Sequence, residues 1–310
     1  MTVFRRLSIA AMALAFAQIV FGAIVRITGS GMGCGDHWPK CLGAWLPPLN
    51  RVDLVIEITH RYMALGLSIA VVALLVLAST RRAKPGMTGP EGLVGPSMLA
   101  AVLVVAAALL GAVTVKLGLN PFVIAAHLTI AMSLLAVLAI VAVRAGAFGG
   151  SARLEGATPR TVTAARVATV MALSILVLGA LTANLPGAAV SCGGFPWCRS
   201  VNSAGLGLTV QIIHRVLAFL LLAHLWAVAR GTARRNEPAP IVRAARISFG
   251  LVILQVVIAA AMVEMRFPPV FRSLHQAVGT LVWLAIVILT ILSARGVRSQ
   301  RPALVQRKAA

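Results

Sequence analysis

Four histidines stand at matched places in long apolar stretches of the chain. An ionisable side chain in such a stretch is costly, so each one marks a candidate functional site. Two imidazoles on facing helices suit the two axial positions of a haem iron. A zinc site would require three or four close ligands, whereas each half of the chain offers two, His60 with His127 and His214 with His275. The sequence therefore predicts two bis-histidine haem sites.

A carboxylate distinguishes the first pair from the second. Residues 57–61 read Glu-Ile-Thr-His-Arg, and residues 211–215 read Gln-Ile-Ile-His-Arg. Glu57 lies three residues before His60, which places both on one helical face. A carboxylate there can act as a base or stabilise a cationic intermediate, and the amide in the second half cannot. This difference predicts chemistry in the amino-terminal half and a fixed cofactor in the carboxy-terminal half. The alternative is a carboxylate that only pairs with the neighbouring arginine or faces water.

An arginine directly follows the first histidine of each pair, as Arg61 and Arg215. A guanidinium matches a carboxylate bidentately, so either arginine could bind a haem propionate. Long basic side chains near helix ends also extend to the membrane interface without binding a ligand. The sequence leaves both interpretations open.

The other two histidines are given structural roles. His224 lies ten residues beyond His214, about 15 Å deeper and on a different face, so it is predicted to pack in the core. His37 falls in a polar connection and is predicted to be solvated.

All four cysteines lie in two connections between apolar stretches, as Cys34 with Cys41 and Cys192 with Cys198. The outer side of a bacterial membrane is oxidising, which favours two disulfides. Neither pair is a C-x-x-C, so thioredoxin-like chemistry is not indicated. Both pairs can brace their loops, and a redox role for Cys34 and Cys41 stays open.

The elements that must position these residues are membrane-spanning helices. The chain has 310 residues with 60% hydrophobic, 11% charged and a mean hydropathy of +0.96, whereas soluble chains have about 45–50% apolar and about 25% charged residues. A span needs about 20 apolar residues and must be helical in lipid. Eight stretches qualify, at residues 7–25, 53–79, 95–115, 122–143, 167–185, 207–229, 245–264 and 272–294. The predicted fold is an all-α polytopic membrane protein.

The basic residues predict the orientation of these spans. There are 28 Lys and Arg against 7 Asp and Glu, a formal charge of +21. Nineteen of the basic residues fall on one side of the eight spans, which identifies that side as cytoplasmic and places both termini there. The charge is thus a topology signal and not a nucleic-acid surface. The first span is too long for a signal peptide and is predicted to be retained.

The order of motifs repeats along the chain. A Gly-Ala pair closes the first span and another closes the fifth, at residues 22–23 and 179–180. Each is followed by a two-cysteine loop and then by a histidine-arginine pair, and a proline and a histidine open the fourth and eighth spans. These spacings predict two four-helix bundles in parallel repetition. The predicted domains are residues 1–150, which would do the chemistry, and residues 151–310, which would hold the fixed cofactor.

The motifs resemble those of haem A synthases. The run 22–34, with Trp38-Pro39 and Cys41, is similar to that family's first outer loop, and residues 57–61 resemble its glutamate-x-x-histidine-arginine signature. The resemblance covers residues 5 to 294. Many members have Pro-Asp-Trp-Pro between the first two cysteines, whereas this chain has Gly-Asp-His-Trp-Pro at residues 35–39, a difference that concerns the shape of the loop.

This resemblance implies oxidation of the methyl group at porphyrin position 8 of haem O to a formyl group, which gives haem A. It implies a resident haem b on His214 and His275, with Arg215 beside it. The substrate haem would sit near His60 and His127, and Glu57 would be the essential carboxylate. A haem O synthase is the expected partner, because haem O is too apolar to release into water.

A different function fits the same four histidines. A di-haem b electron-transfer protein linked to quinone would need both histidine pairs but would give Glu57 no special role. A transporter is suggested only by the repeat. The expected location is a bacterial plasma membrane, with lipids around the spans and the haem sites near the outer face. Homo-oligomerisation, the electron acceptor and the source of the formyl oxygen stay open.

Overall fold

Eight long helices make up most of the chain. A computed structural model describes the backbone of residues 2–309 and the side chains as far as Gln300. All eight helices are long and apolar enough to cross a membrane, which confirms the predicted number of spans. The helices are α1 Thr2–Ile27, α2 Val52–Thr80, α3 Val94–Lys116, α4 Pro121–Arg144, α5 Pro159–Asn184, α6 Leu206–Arg234, α7 Ala239–Glu264 and α8 Pro269–Ala309.

Several helices extend beyond the predicted spans, because hydropathy detects only the apolar part of a helix. Helix α5 begins at Pro159, whereas the apolar stretch begins at residue 167. The Thr158 side chain accepts a hydrogen bond from the Thr161 amide, and proline occupies the first helical position. A threonine cap followed by proline is a common helix start. The helix therefore begins in the polar segment and enters the apolar region about two turns later.

The helices contact each other in the same order in both halves. In the first half α1 contacts α2 and α4, and α3 also contacts α2 and α4. In the second half α5 contacts α6 and α8, and α7 also contacts α6 and α8. The connection between α4 and α5 includes residue 150. The assignment of two haem-binding domains to residues 1–150 and 151–310 stays a prediction.

Helices α1, α4, α5 and α8 join the two halves. Helix α8 contacts α1 and α4, and α4 contacts α5. The Trp283 indole of α8 donates a hydrogen bond to the Met132 carbonyl of α4, at 2.9 Å. Buried side chains from all eight helices form one apolar cluster that includes Met132 and Ile286. The core is therefore continuous across the junction.

The connections 28–51 and 185–205 lie at the same end of the helices, called here the disulfide end. The first connection begins with a 3-10 turn at Ser30–Met32. The second has a 3-10 turn at Ala188–Val190 and a two-stranded antiparallel hairpin, β1 Cys192–Gly193 and β2 Ser200–Val201. The sequence had not predicted this hairpin. Helices α2, α4, α6 and α8 all begin at this end.

Buried polar contacts also fix the opposite end of the second half. Glu237, in the connection between α6 and α7, is buried. Its Oε1 accepts hydrogen bonds from the hydroxyls of Thr158 and Thr161, at 2.8 and 2.6 Å, and pairs with Arg235 Nε at 2.8 Å. Since an unpaired buried carboxylate would be costly, its bonds to the two threonines hold the α6–α7 connection against the start of α5.

Candidate functional site

Glu57 is buried in α2 and holds the first cysteine loop. One carboxylate oxygen accepts a hydrogen bond from the Cys34 amide at 2.8 Å, and the other forms a salt bridge with Arg61 one turn later. The Arg61 guanidinium also donates to the backbone carbonyls of His37, Pro39 and Lys40. Glu57 therefore does pair with Arg61, as the alternative interpretation had it, and the pair fixes the loop.

Gln211 holds the second cysteine loop through equivalent contacts. Its Oε1 accepts hydrogen bonds from the Cys192 amide and the Ser191 hydroxyl, both at 2.8 Å. Arg215 donates to the carbonyls of Cys192 at 2.9 Å and Gly194 at 2.7 Å. The difference between the halves is thus one of charge: the described residues give Arg215 no carboxylate partner, whereas Arg61 has Glu57.

The two disulfides are present as predicted. Cys34 is bonded to Cys41 and Cys192 to Cys198. Because Glu57 and Gln211 accept hydrogen bonds from the first cysteine of each pair, each disulfide loop is attached directly to the helix that carries a histidine ligand candidate. This attachment fits the bracing role, and the redox role of the first pair stays untested.

His60 packs against a glycine of α1. A Cβ atom on Gly22 would come within 3.0 Å of His60 Cε1, so only glycine allows the ring to lie this close. The Phe21 ring stacks beside it, with centroids 6.3 Å apart. The Gln18 amide donates to the His60 carbonyl at 3.0 Å and lies 3.4 Å from its Nε2.

His127 packs against a glycine of α3 in the same manner. A Cβ atom on Gly111 would come within 3.3 Å of His127 Cε1. The Nδ1 atom of His60 is buried and lacks a hydrogen-bond partner, as does Gln18 Oε1, whereas the His127 ring lies within reach of the Ala107 carbonyl of α3. Buried polar atoms without partners are rare and call for an explanation such as a missing ligand. The two histidines lie close enough to interact electrostatically.

His214 is oriented by a backbone carbonyl of α5. Its Nδ1 lies 3.0 Å from the Ile175 carbonyl, which can only accept a hydrogen bond. Nδ1 therefore carries the proton, and Nε2 keeps its lone pair for a metal. A Cβ atom on Gly179 would come within 3.0 Å of His214 Cε1, so α5 also fixes how close the ring approaches.

His275 is contacted by a glutamine of α7. The Gln255 amide nitrogen lies 3.0 Å from His275 Nδ1 and 3.0 Å from the His275 carbonyl. Gln255 Oε1 is buried without a partner. His275 and His214 lie close enough to interact electrostatically, so the second half also brings its two histidines together.

The four histidines lie at matched depths. His60 and His214 are each the ninth residue of their helix, and His127 and His275 are each the seventh. At a rise of 1.5 Å per residue, these places lie about 12 and about 9 Å from the helix start. Among residues whose side chains are described, no three His, Cys, Asp or Glu come together as a metal site. The two histidines of each half thus fit a bis-histidine haem, and the buried polar atoms without partners on His60, Gln18 and Gln255 fit a site that holds a further group.

The remaining histidines lie where the sequence placed them. His224 is partly buried, and its Nε2 lies 2.8 Å from the Ala164 carbonyl of α5. His37 is exposed in the first cysteine loop beside Asp36, at 3.3 Å. Both therefore keep the structural and solvated roles that the sequence predicted.

Two glutamines of the site were missed in the sequence. Gln18 and Gln255 contact His60 and His275, and each is a polar side chain inside an apolar stretch. The signal that could have found them is the one used for the histidines, since a polar side chain within a span is costly. Their partners could not be read from the sequence, because each glutamine lies on a different helix from its histidine.

Comparison with known families gives a match over most of the chain. Residues 5–287 match the COX15-CtaA family, described as cytochrome oxidase assembly protein. The matched range begins in α1 and ends within α8, so it includes all four paired histidines, Glu57 and both cysteine loops.

Several curated proteins are similar to the chain. A Heme A synthase from Geobacillus thermodenitrificans is 29% identical over 269 residues, covering 84% of this chain and 81% of that protein. A Heme A synthase from Bacillus cereus is 27% identical over 281 residues, 88% of each. A Protoheme IX farnesyltransferase from Thermus thermophilus is 30% identical over 292 residues and 87% of this chain. The chain spans 45% of the length of that last protein.

Proposed function

Because the chain belongs to the COX15-CtaA family of cytochrome oxidase assembly proteins, we propose that it is a haem A synthase. It oxidises the methyl group at porphyrin position 8 of haem O to a formyl group. The single observation that carries the proposal is the unequal pair of sites, each with two histidines but only one with a buried carboxylate, Glu57. Similarity to proteins named Heme A synthase supports it.

In this proposal the carboxy-terminal half holds a resident haem b. His214 and His275 would hold its iron, and the Ile175 carbonyl keeps the His214 Nδ1 proton in place so that Nε2 retains its lone pair for that iron. A haem held by two histidines supplies reversible one-electron transfer. Arg215 lies one residue from His214 without a carboxylate partner among the described residues, which leaves its charge available to a haem propionate.

The amino-terminal half takes haem O as substrate between His60 and His127. Glu57 lies one helical turn from His60 and is the nearest proton acceptor along α2. Both of its oxygens are engaged, one with Arg61 and one with the Cys34 amide. The bond to the neutral amide is the weaker of the two. Glu57 therefore gives up its hydrogen bond with the Cys34 amide when it accepts a proton or stabilises positive charge beside the substrate.

The protein is a multi-pass membrane protein, and we place it in a bacterial plasma membrane with both termini cytoplasmic. Two observations support this orientation: the arginine-rich connections lie opposite the disulfide end, and disulfides form on the oxidising side. The haem sites then lie near the outer face. A farnesyltransferase that acts on protohaem, the activity in the name of the Thermus thermophilus relative, would produce the farnesylated substrate, so a haem O synthase is the proposed partner.

Pigment analysis tests the reaction directly. The full chain is expressed in membranes beside a haem O synthase, and the extracted haems are separated by chromatography. We expect haem A only when both proteins are present. A haem-loaded, intact chain that leaves haem O unconverted would contradict the proposal.

One observation favours a second candidate, a quinone-linked di-haem b electron-transfer protein. The paired histidines have the same helix register in both halves, which would suit two equivalent resident haems. In that case the purified chain would hold two haems b, and a change at Glu57 would leave electron transfer unaffected.

A further inference from the structure

Two arginines lie in the same region of the disulfide end, at the junction of the two halves. Arg26 is in the last turn of α1 and Arg272 is in the first turn of α8, and these helices pack together. Both side chains are partly buried, and they lie close enough to repel each other. The Arg26 guanidinium also reaches the Ala183 carbonyl of α5, at 3.4 Å. The pair thus lies where α1, α5 and α8 converge.

Neither arginine has a carboxylate partner among the residues that the structure describes. The acidic residues at the disulfide end are four, and each has another partner. These pairs are Asp36 with His37, Asp53 with Arg51, Glu57 with Arg61, and Glu264 with Arg199. Two like charges withdrawn from water without a counter-ion are costly, so the structure leaves a place for an anion that the chain does not supply.

The position of this pair indicates which anion it binds. Arg272 lies three residues before His275, on the same helical face and about 4.5 Å nearer the helix start. Arg26 is also close enough to His275 for their charges to interact. An anion held by both guanidinium groups would therefore lie beside the second histidine pair, on its disulfide-end side.

We propose that Arg26 and Arg272 together bind a carboxylate of the haem held by His214 and His275. This inference rests on the proposed function, which places haem b at those ligands. Guanidinium groups bind carboxylates bidentately and stay charged at every physiological pH. A phospholipid phosphate has similar anion chemistry and could reach the same end of the helices. The first half of the chain thereby contributes, through Arg26, to the cofactor site of the second half.

The test is a potentiometric titration of the low-spin haem in the purified full chain, with Arg26→Gln and Arg272→Gln. A cation beside the haem stabilises the ferrous form, because that form carries one more electron. We expect either variant to lower the ferrous-to-ferric ratio about tenfold at the wild-type midpoint, which is about 59 mV for one electron. Arg266→Gln, at an exposed arginine of the same end, is the matched control and should leave the midpoint unchanged.

Charge and packing are separated by conservative variants. Arg26→Lys and Arg272→Lys keep the charge and should retain a midpoint near that of the wild type. Loss of haem from Arg26→Gln supports the inference when Arg26→Lys retains haem. Loss of haem from both Arg26→Gln and Arg26→Lys would indicate a packing requirement and would overturn the inference. Shifts in both glutamine variants no larger than that of Arg266→Gln would overturn it as well.

A second arm distinguishes the source of the anion. Wild-type protein is stripped of phospholipid in detergent, with phosphorus analysis as the check, and titrated again. A haem carboxylate predicts an unchanged wild-type midpoint after stripping. A lipid phosphate would offset the charge of the two arginines, so its removal would raise the midpoint. Such a rise after stripping would identify a lipid phosphate and overturn the haem assignment.

The redox titration and the haem A assay test the anion site and the proposed reaction separately. If the shifts occur but the membranes make no haem A, the reaction is wrong and the anion site stands. If haem A is made and the midpoint does not respond, the reaction stands and the anion site is wrong. A purified chain without low-spin haem would overturn the anion site.

Discussion

At the level of single residues, the main contrast is between Glu57 and Gln211. Both accept a hydrogen bond from the amide of a disulfide-bonded cysteine, at 2.8 Å, and both lie three residues before a histidine. Anchoring the loop therefore does not require a charge, because an amide does it in the second half. The charge of Glu57 needs a different reason, and chemistry beside the substrate haem supplies one.

This contrast makes Glu57→Gln an informative change. A glutamine should keep the Cys34 contact, as Gln211 keeps the contact to Cys192, so the fold and the haem spectrum should be retained. Loss of a general base typically lowers the rate by about 100-fold or more, and we expect haem A formation to fall accordingly. Haem chromatography of membranes measures the product.

Asp53→Asn is the matched control, since it removes a carboxylate from the same helix that pairs only with Arg51. It should leave haem A formation unchanged. Full activity of Glu57→Gln would remove the carboxylate from the proposed chemistry and favour the electron-transfer candidate.

A second prediction at this level concerns the resident haem. His214→Ala should abolish the low-spin haem b spectrum of the purified chain, because one axial ligand is lost, and His275→Ala should do the same. His224→Ala, at the histidine that contacts the Ala164 carbonyl, should retain the spectrum. A normal low-spin spectrum in His214→Ala would show that the ligand assignment in the second half is wrong.

At the level of helices, glycines set the distance between each histidine and its neighbouring helix. Gly22, Gly111 and Gly179 each face the ring of His60, His127 or His214, at a separation where a larger side chain would push the ring away. A histidine can serve as an axial ligand only if its ring is held at a fixed position. The helix pair thus acts as a unit, with one helix supplying the ligand and the other supplying the surface on which it rests.

The helix-level prediction is tested by Gly179→Ala. The added Cβ would lie 3.0 Å from His214 Cε1, so the ring must move. Overpacking costs about 1–3 kcal/mol, and we expect the affinity of the second half for haem to fall about tenfold or more. The ratio of haem absorbance to protein measures occupancy.

Gly250→Ala in α7 is the control, because a Cβ there meets nothing within 4 Å. Alanine also has a higher helix propensity than glycine, so haem occupancy should be retained and stability should not decrease. Equal occupancy in the two variants would mean that the glycine contact does not position the ring.

At the level of the whole molecule, the two halves are joined at the end opposite the disulfides and again within the helices. At the end opposite the disulfides, Glu91 pairs with Arg295 at 3.1 Å and Arg298 at 2.7 Å, both from α8, and lies 3.8 Å from Arg144 of α4. The negative charge of Glu91 is thus shared by three positively charged arginines. Near mid-height, the Trp283 hydrogen bond joins α8 to α4.

Glu91→Gln tests this connection. The pairs are partly exposed to solvent, so we expect a loss of about 1 kcal/mol or less. The loss should appear as a lower apparent melting temperature in detergent, and should decrease at high salt because salt screens the charges. Glu155→Gln removes an exposed carboxylate from a nearby connection and should not change the melting temperature. A salt-independent loss in Glu91→Gln would point to a packing role instead.

The amino-acid sequence alone determined the number of helices, the two cysteine pairs and the matched places of His60, His127, His214 and His275. These are local properties, because an apolar run of about 20 residues specifies a helix and a position in that run specifies a depth. Which side chains meet was decided by the tertiary structure. Spans that are apolar on every face lack the one-sided pattern that reveals a buried face in soluble helices. The contact of Gln18 with His60 and the proximity of Arg26 to Arg272 therefore appear only when the helices are packed together.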